Sequence, residues 1–356
     1  MNYFSSDFKL GILGGGQLGK MLLQVTSRLS IKTNILDPSE DSPCKNLCNE
    51  FEIGNLMDFD AVYQFGKKCD LVTFEIEHVN IEALEKLEAE GKTDPIHHAD
   101  SRPGVVESEA TNRAIALSRI TDTPILFVHV SDREAIETIR DAQSKGYKIL
   151  AETCPQYLFL KRDDLNKDNF EGAKYVCSPP PRDPENQKYV WNGIQNGTFD
   201  ILSSDHAPFN FKGDKGKMIK GNKTPFKHIP NGVPGLETRL PLLFSNGVLG
   251  KKISINKFVE VTSTNPAKIY GLYPKKGTIS IGSDADIVIW ETGIEKTITN
   301  SNLHHDTDHT PYEGMKVNCW PSIVLSRGKI IVQDGELQGE KGYGKFLKSE
   351  ISSYVY

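Results

Sequence analysis

Two short apolar runs without a polar face constrain most of this chain. Ile125-Leu-Phe-Val128 leads straight into His129, and Ile201-Leu202-Ser203 leads towards Asp205-His206. A strand that is apolar on both sides must be covered on both, the pattern of a parallel sheet wrapped by helices. Glu107 to Arg119 has helical spacing. So has Arg133 to Lys145, which stops at Gly146, a residue suited to the left-handed turn after a helix. Lys148 to Glu152 is a further strand. Alternating strands and helices, with polar residues at the strand ends, predict repeated (β/α) architecture with its chemistry on that rim. His129 in such a place is either a metal ligand or a core histidine with its hydrogen bonds met, and Asp205 is a stronger ligand candidate.

Upstream the pattern differs. Phe8 to Gly16 reads as a buried strand running into glycines, and Gly14-Gly-Gly-Gln-Leu-Gly19 fits G-x-G-x-x-G. A helix follows with Leu18, Met21, Leu22, Val25 and Leu29 on one face. Ile31 to Leu36 is the next strand, ending at acidic Asp37; Leu71 to Glu75 is another, and Ile81 to Glu90 is a helix. Such a loop allows a phosphate close to a helix N-terminus. Beyond Pro266, Gly277 to Gly282, Ala285 to Trp290 and Pro321 to Val332 read as short strands of a small β unit.

The expected fold class is therefore α/β. It comprises an N-terminal Rossmann-like parallel sheet (1–90), a partial (β/α) TIM-barrel segment (91–270) and a small C-terminal β unit, either a β-sandwich portion or a single sheet (271–338). The tail, 339–356, reads as an interface arm or a disordered end. A length of 356 residues accommodates these units, and a net charge of -5 gives no electrostatic reason for a nucleic-acid or membrane partner. No apolar stretch spans a bilayer and the first residues lack a secretory pattern, so a cytoplasmic location is expected. The six scattered cysteines read as free thiols.

Two family resemblances sharpen these readings. Leu10 to Met21, Ile35-Leu-Asp-Pro-Ser39 and Val72 to Val79 resemble the N-terminal domain of carboxyaminoimidazole ribonucleotide synthase, an ATP-grasp ligase of purine biosynthesis. That resemblance implies that Gln17 and Leu18, with Glu75 or Glu77, contact a phosphoribosyl ligand. The segments holding ATP and magnesium in that family have no counterpart here.

From about Leu87 to Lys348 the chain resembles the C-terminal part of the dihydropyrimidinases and hydantoinases, which are cyclic amidohydrolases. The resemblance rests on His98-Ala-Asp-Ser-Arg-Pro103, Val128-His-Val-Ser131, Glu152-Thr-Cys-Pro-Gln-Tyr157, Gly172 to Pro180, Ser204-Asp-His-Ala-Pro208, Ile229-Pro-Asn-Gly-Val-Pro-Gly235 and Ser263 to Lys268. It implies a small cyclic amide as substrate, a hydroxide held between two zinc ions as nucleophile, and a homo-oligomer. His129 would bind one zinc. Asp205 would bind the other and carry a proton to the departing ring nitrogen. The loops at Ser178 and Asn231 would hydrogen-bond the imide edge, and His206 would act behind the ligands.

The resemblance also implies ligands that this sequence lacks. No two of the nine histidines stand in the His-x-His spacing of the family's first ligand pair. The resemblance begins only after the barrel strands that carry the bridging lysine and a further histidine. The doublets at His97-His98 and His304-His305 offer one ligand each at most on a strand. A bridged metal pair takes about six protein ligands and two remain, so weak zinc binding and an impaired or inactive hydrolase are expected. Ile81 to Lys92 reads as both the end of one segment and the start of the other. The chain is therefore read as a join of two coding sequences, by recombination or by assembly.

Overall fold

The structure, a computed structural model, describes residues 7–352 except Glu77 and Lys92, with Ala89 described by its backbone alone. The chain divides into two compact units, Met1–Thr93 and Asp94–Tyr356. In the first, β1 (Lys9–Leu13) is followed by α1 (Gln17–Arg28), β2 (Lys32–Asp37), β3 (Glu50–Ile53), α2 (Phe59–Gly66), β4 (Leu71–Phe74) and α3 (Ile81–Glu90). The four strands are parallel, in the order β3-β2-β1-β4. Leu13, Leu36, Val62, Phe65 and Ala83 form one core, and Leu10, Ile12, Leu23 and Ile35 another. Asp58 and Asn80 cap α2 and α3 by accepting from the amides of Ala61 and Ala83.

Helix α1 carries the expected apolar face, but of that face Leu22 packs against the core while the rest stands open. Leu18, Met21, Val25 and Leu29 are each about half exposed, while Gly19, Leu23 and Thr26 are buried. The cause lies at Gly19, where an added Cβ would stand 3.0 Å from the Gly14 carbonyl and 3.2 Å from the Cys44 sulfur. The helix leans on the sheet through its smallest face, so the larger side chains turn outwards.

The second unit begins with α4 (Ile96–Asp100), α5 (Gly104–Thr121), β5 (Ile125–Phe127), α6 (Arg133–Ser144), β6 (Ile149–Thr153), α7 (Pro155–Phe159), α8 (Pro184–Gln195) and β7 (Ile201–Leu202). β5, β6 and β7 form a parallel sheet in that order. Ile115, Ile136, Ile139, Val190, Ile194 and Leu202 close a core around it. Truncating a fully buried isoleucine such as Ile139 to alanine costs about 2–5 kcal/mol in such a setting. Next come β8 (Ile219–Asn222), α9 (Arg239–Leu243), α10 (Ile255–Val259) and α11 (Asn265–Ile269). π-helical turns continue α9 over Phe244–Leu249 and join α10 to α11 over Glu260–Thr264.

The last part holds β9 (Ile287–Thr297), β10 (Lys316–Ser326), β11 (Lys329–Gln333) and β12 (Glu336–Leu337) in one antiparallel sheet. Of the two forms expected, a β-sandwich portion or a sheet, the sheet is the one found: among the described residues these strands form a single sheet. Helical residues rather than a second sheet cover it, for Trp290 of β9 stacks on Phe244 at 4.7 Å and meets Phe258 edge-on. Gly277 to Gly282 forms turns instead of a strand, leaving Ile279 and Ile281 exposed. The tail to Ser352 folds onto its own unit. Tyr343 donates its hydroxyl to the Ser326 carbonyl, and the Glu350 amide donates to Gly271.

Candidate functional site

The C-terminal ends of β5, β6 and β7 point the same way and carry His129, Gln156 and Asp205 just beyond them. His129 and Asp205 each have φ of +44°, a left-handed conformation that costs a non-glycine residue about 1–3 kcal/mol. Both turns are held by their neighbours. The Val130 amide donates to the Glu152 carbonyl at 2.9 Å, and the Ser203 amide donates to Thr153 at 3.0 Å. Glu107, in the first turn of α5, accepts from the amides of Ser131 and Asp132 at 2.7 and 3.1 Å. Arg182 donates to Glu107 at 2.9 Å and to the Ser131 hydroxyl at 3.0 Å. A largely buried ion pair thus fixes the loop that presents His129.

Asp205 is half-buried. Burial pushes its carboxyl above the usual range, and the nearby His129 pulls it back. Its Oδ2 accepts from Gln156 Nε2 at 3.2 Å. Gln156 is fully buried, and its Oε1 has no hydrogen-bond partner among the described residues. His206 turns away from this cluster: its Nδ1 accepts from the amides of Gly235 and Leu236 at 3.1 and 3.3 Å, so the neutral ring carries its proton on Nε2. Burial pulls its pKa down.

Two exposed loops complete the rim. Val233 bridges His206, the Ala207 amide donates to Val233, and the Gly232 amide donates to the Val176 carbonyl at 3.0 Å. These bonds bring the segments bearing Ser178, Asn231 and Asp205 together, with Ser178 and Asn231 exposed. Gly232 makes the approach possible: its φ is +143°, and a Cβ there would lie 2.3 Å from that of Ala207. Behind Ser178, buried His98 donates from Nε2 to the Cys177 carbonyl at 2.8 Å. Arg102 donates to His98 Nδ1 at 3.3 Å and, having no acceptor, assigns the tautomer. Burial pulls His98 down to about 4.

In the first unit the glycine turn is already filled. Glu75 accepts from the Gly16 and Gly19 amides at 2.6 and 2.9 Å, and Asp37 accepts from Gly15 at 2.6 Å. Gly16 has no side chain to cap α1, so Glu75 supplies the cap from 59 residues away. Gln17 and Leu18 are exposed on the first turn of the helix, and Glu77 lies outside the described residues.

A model of the ribonucleotide synthetase preATP-grasp domain matches residues 8–99, and a model of the amidohydrolase family matches residues 127–331. A solved D-hydantoinase is similar at 38% identity and a TM-score of 0.71, over 96% of this chain and 73% of that one. The chain belongs to the amidohydrolase family. The solved dihydropyrimidinase of Brevibacillus agri NCHU1002 is similar at 37% identity and a TM-score of 0.72, over 97% of this chain and 74% of its own. The D-hydantoinase of Ralstonia pickettii is 48% identical over 264 residues, 74% of this chain and 57% of that protein. That of Geobacillus stearothermophilus is 45% identical over 273 residues, 77% of this chain and 56% of its own. The chain thus spans little more than half the length of the curated relatives it matches.

Metal-dependent chemistry is general in the amidohydrolase family, so the donors present must be tested against it. His129 lies near enough to Asp205 to draw its carboxyl down, but among the described residues no group of three or more His, Cys, Asp or Glu side chains could hold a metal ion. Two donors do not fit a metal that takes three or four protein ligands. The histidine doublets do not help. His97 bonds Asp100 at 2.8 Å, His304 bonds Glu237 at 3.0 Å and His305 bonds Asn300 at 2.8 Å. Sequence reading missed Gln156, although it stands inside a quoted motif, and the pair Glu107–Arg182, whose members lie 75 residues apart. It also missed Lys217, one of five lysines between 212 and 223 and the one with a fully buried side chain.

Proposed function

We propose that the second unit is the substrate-edge part of a hydantoinase- or dihydropyrimidinase-type hydrolase of cyclic amide C–N bonds. In this reading its (β/α) units are a partial TIM barrel, residues 91–270. Ser178 and Asn231 hold the imide edge of the ring. Asp205 stands as the proton carrier for the leaving nitrogen, and His129 and Asp205 are the two donors that remain of a zinc site. The observation that carries the reading is the pair of left-handed turns at His129 and Asp205, set beyond the ends of β5 and β7 on either side of β6 and each braced by backbone hydrogen bonds. Strain of this kind persists where surrounding structure enforces it, and it clusters at sites of chemistry. Support also comes from the similarity to D-hydantoinases over most of this unit.

Because two donors do not fit a metal, this chain by itself is an impaired catalyst. What its own residues do is bind the ring edge and hold a proton acceptor beside it. A homo-oligomer in the cytoplasm completes the proposal; the cysteines are all free, as in a reducing compartment, and no described helix is long and apolar enough to cross a membrane. A phosphoribosyl ligand in the first unit is not part of it, since Glu75 already occupies the loop amides.

Metal analysis with turnover of dihydrouracil tests the reading. Expected are well under one zinc per chain, negligible turnover, and dihydrouracil binding that weakens in Ser178→Ala and Asn231→Ala. Two zincs per chain with ordinary turnover would overturn the impaired-site part. Binding indifferent to both substitutions would overturn the substrate-edge part.

A further inference from the structure

Lys217 is among the largest fully buried side chains of the protein. A buried ammonium ordinarily pairs with a carboxylate, because unpaired burial of charge is costly. Here, among the described residues, its hydrogen bonds go to main-chain carbonyls instead: Nζ donates to Val176 at 2.9 Å and to Pro230 at 2.9 Å. Val176 lies two residues before Ser178, and Pro230 immediately precedes Asn231. Apart from Lys217, the bond from the Gly232 amide to Val176 joins the same loops.

Among the described residues no carboxylate pairs with this amine. Burial draws Lys217 down to about 7, opposed by the neighbouring Cys177, whose own thiol burial pushes up to about 12. The imidazoles that feel its charge, His98 and His309, are both drawn down to about 4 by burial first and by Lys217 among other causes. An apolar residue would avoid this desolvation, so the cost has to be offset by what the two carbonyl bonds hold in place.

We propose that Lys217 is a positioning residue that ties the Ser178 loop to the Asn231 loop and sets the spacing at which those side chains meet one cyclic amide. This rests on the reading that Ser178 and Asn231 hold the imide edge. Lys217 itself touches no substrate. It acts through two backbone carbonyls, each next to or near a binding residue.

The test compares the full chain with Lys217→Met in two ways: hydrogen exchange at the Gly232 amide, and calorimetric binding of dihydrouracil. The expected result is an unchanged circular dichroism spectrum, about tenfold less protection at Gly232 and about tenfold weaker binding. Ser178→Ala and Asn231→Ala should each cost less binding in the Lys217→Met background than in the parent, a coupling that loss of global stability does not produce. Unchanged protection with unchanged binding overturns the proposal. Binding in the parent that is insensitive to Lys217→Met overturns it too, while leaving the cyclic-amide reading intact. If the parent binds no dihydrouracil, that reading fails, and the tie between the loops is judged on Gly232 alone, where lost protection supports it and kept protection overturns it. Should Lys217→Met fail to fold, Lys217→Gln, a neutral donor one bond shorter, carries the same measurements with the same expected and overturning results.

Discussion

The glycine turn of the first unit and the strand-end rim of the second both set carboxylates beside tight backbone turns, and they use them in opposite ways. Glu75 gives one oxygen to Gly16 and the other to Gly19, while Asp37 gives one to Gly15 and one to Ser39. The positive end of α1 is thus neutralised from within the fold, where a phosphate would otherwise be attracted. On the rim, Asp205 receives a bond from Gln156, whose second polar atom has no partner among the described residues, and Ser178 and Asn231 face solvent. There the structural bonding is delegated to Glu107 and Arg182, one layer behind His129. A glycine pattern therefore marks a backbone shape. Hydrogen-bonding capacity left unspent marks a place for a ligand.

The contrast breaks most sharply at Glu107. Glu107→Ala strands Arg182 in a largely buried position and strips acceptors from two amides, so a loss of about 3–5 kcal/mol is expected in the second unit. Denaturant unfolding followed by hydrogen exchange in each unit would show it, with exchange in β1 and β2 unchanged. A loss under 1 kcal/mol would mean that the loop bearing His129 holds its shape without the ion pair.

Acid separates the units next. His98 and His309 are buried and have pKa values lowered from 6.5 to about 4. The unfolded chain therefore binds protons that the fold refuses. Their stabilisation is complete above pH 6.5 and is lost as pH falls towards 4. Between pH 7 and 5 each should cost the second unit about 2 kcal/mol. His98→Gln should remove its share of that slope. Exchange in the first unit, which holds neither of these histidines, should change less over the same interval.

Legibility followed the same division. The apolar strands β5, β6 and β7 and the capped helix α6 were readable because burial on both faces leaves a continuous signal. The edge strand β3, Glu-Phe-Glu-Ile, carries no such signal, and the α1 stripe does not mark the packed face, because Gly19 rather than apolar area decides which face packs. His129 and Asp205 stood out as polar residues closing apolar runs. Gln156, Glu107 and Lys217 did not, since what matters in each is a contact made 24 to 75 residues away or a burial that residue type does not reveal.

The third effect lies in the first unit. Glu75→Ala removes the cap that α1 cannot supply for itself, so a loss of about 1–2 kcal/mol is expected by denaturant unfolding of that unit. A loss near zero would show that solvent satisfies these amides equally well, and that Glu75 is as free for a ligand as Asp205.

Gln156→Met should have the smallest effect on stability and is the sharpest test of the contrast. The substitution removes a buried acceptor that has no partner among the described residues, a gain, and a hydrogen bond to Asp205 at 3.2 Å, a loss. The two contributions oppose, and the shape is nearly kept, so the net change should stay under about 1 kcal/mol. Asp205 is left less fixed by the change. If the rim is built for a ligand, dihydrouracil binding should weaken several-fold while unfolding hardly shifts. If Gln156 is instead a structural link like Glu75, stability should fall by about as much as in Glu75→Ala, and binding should fall with it only as far as the fold is lost.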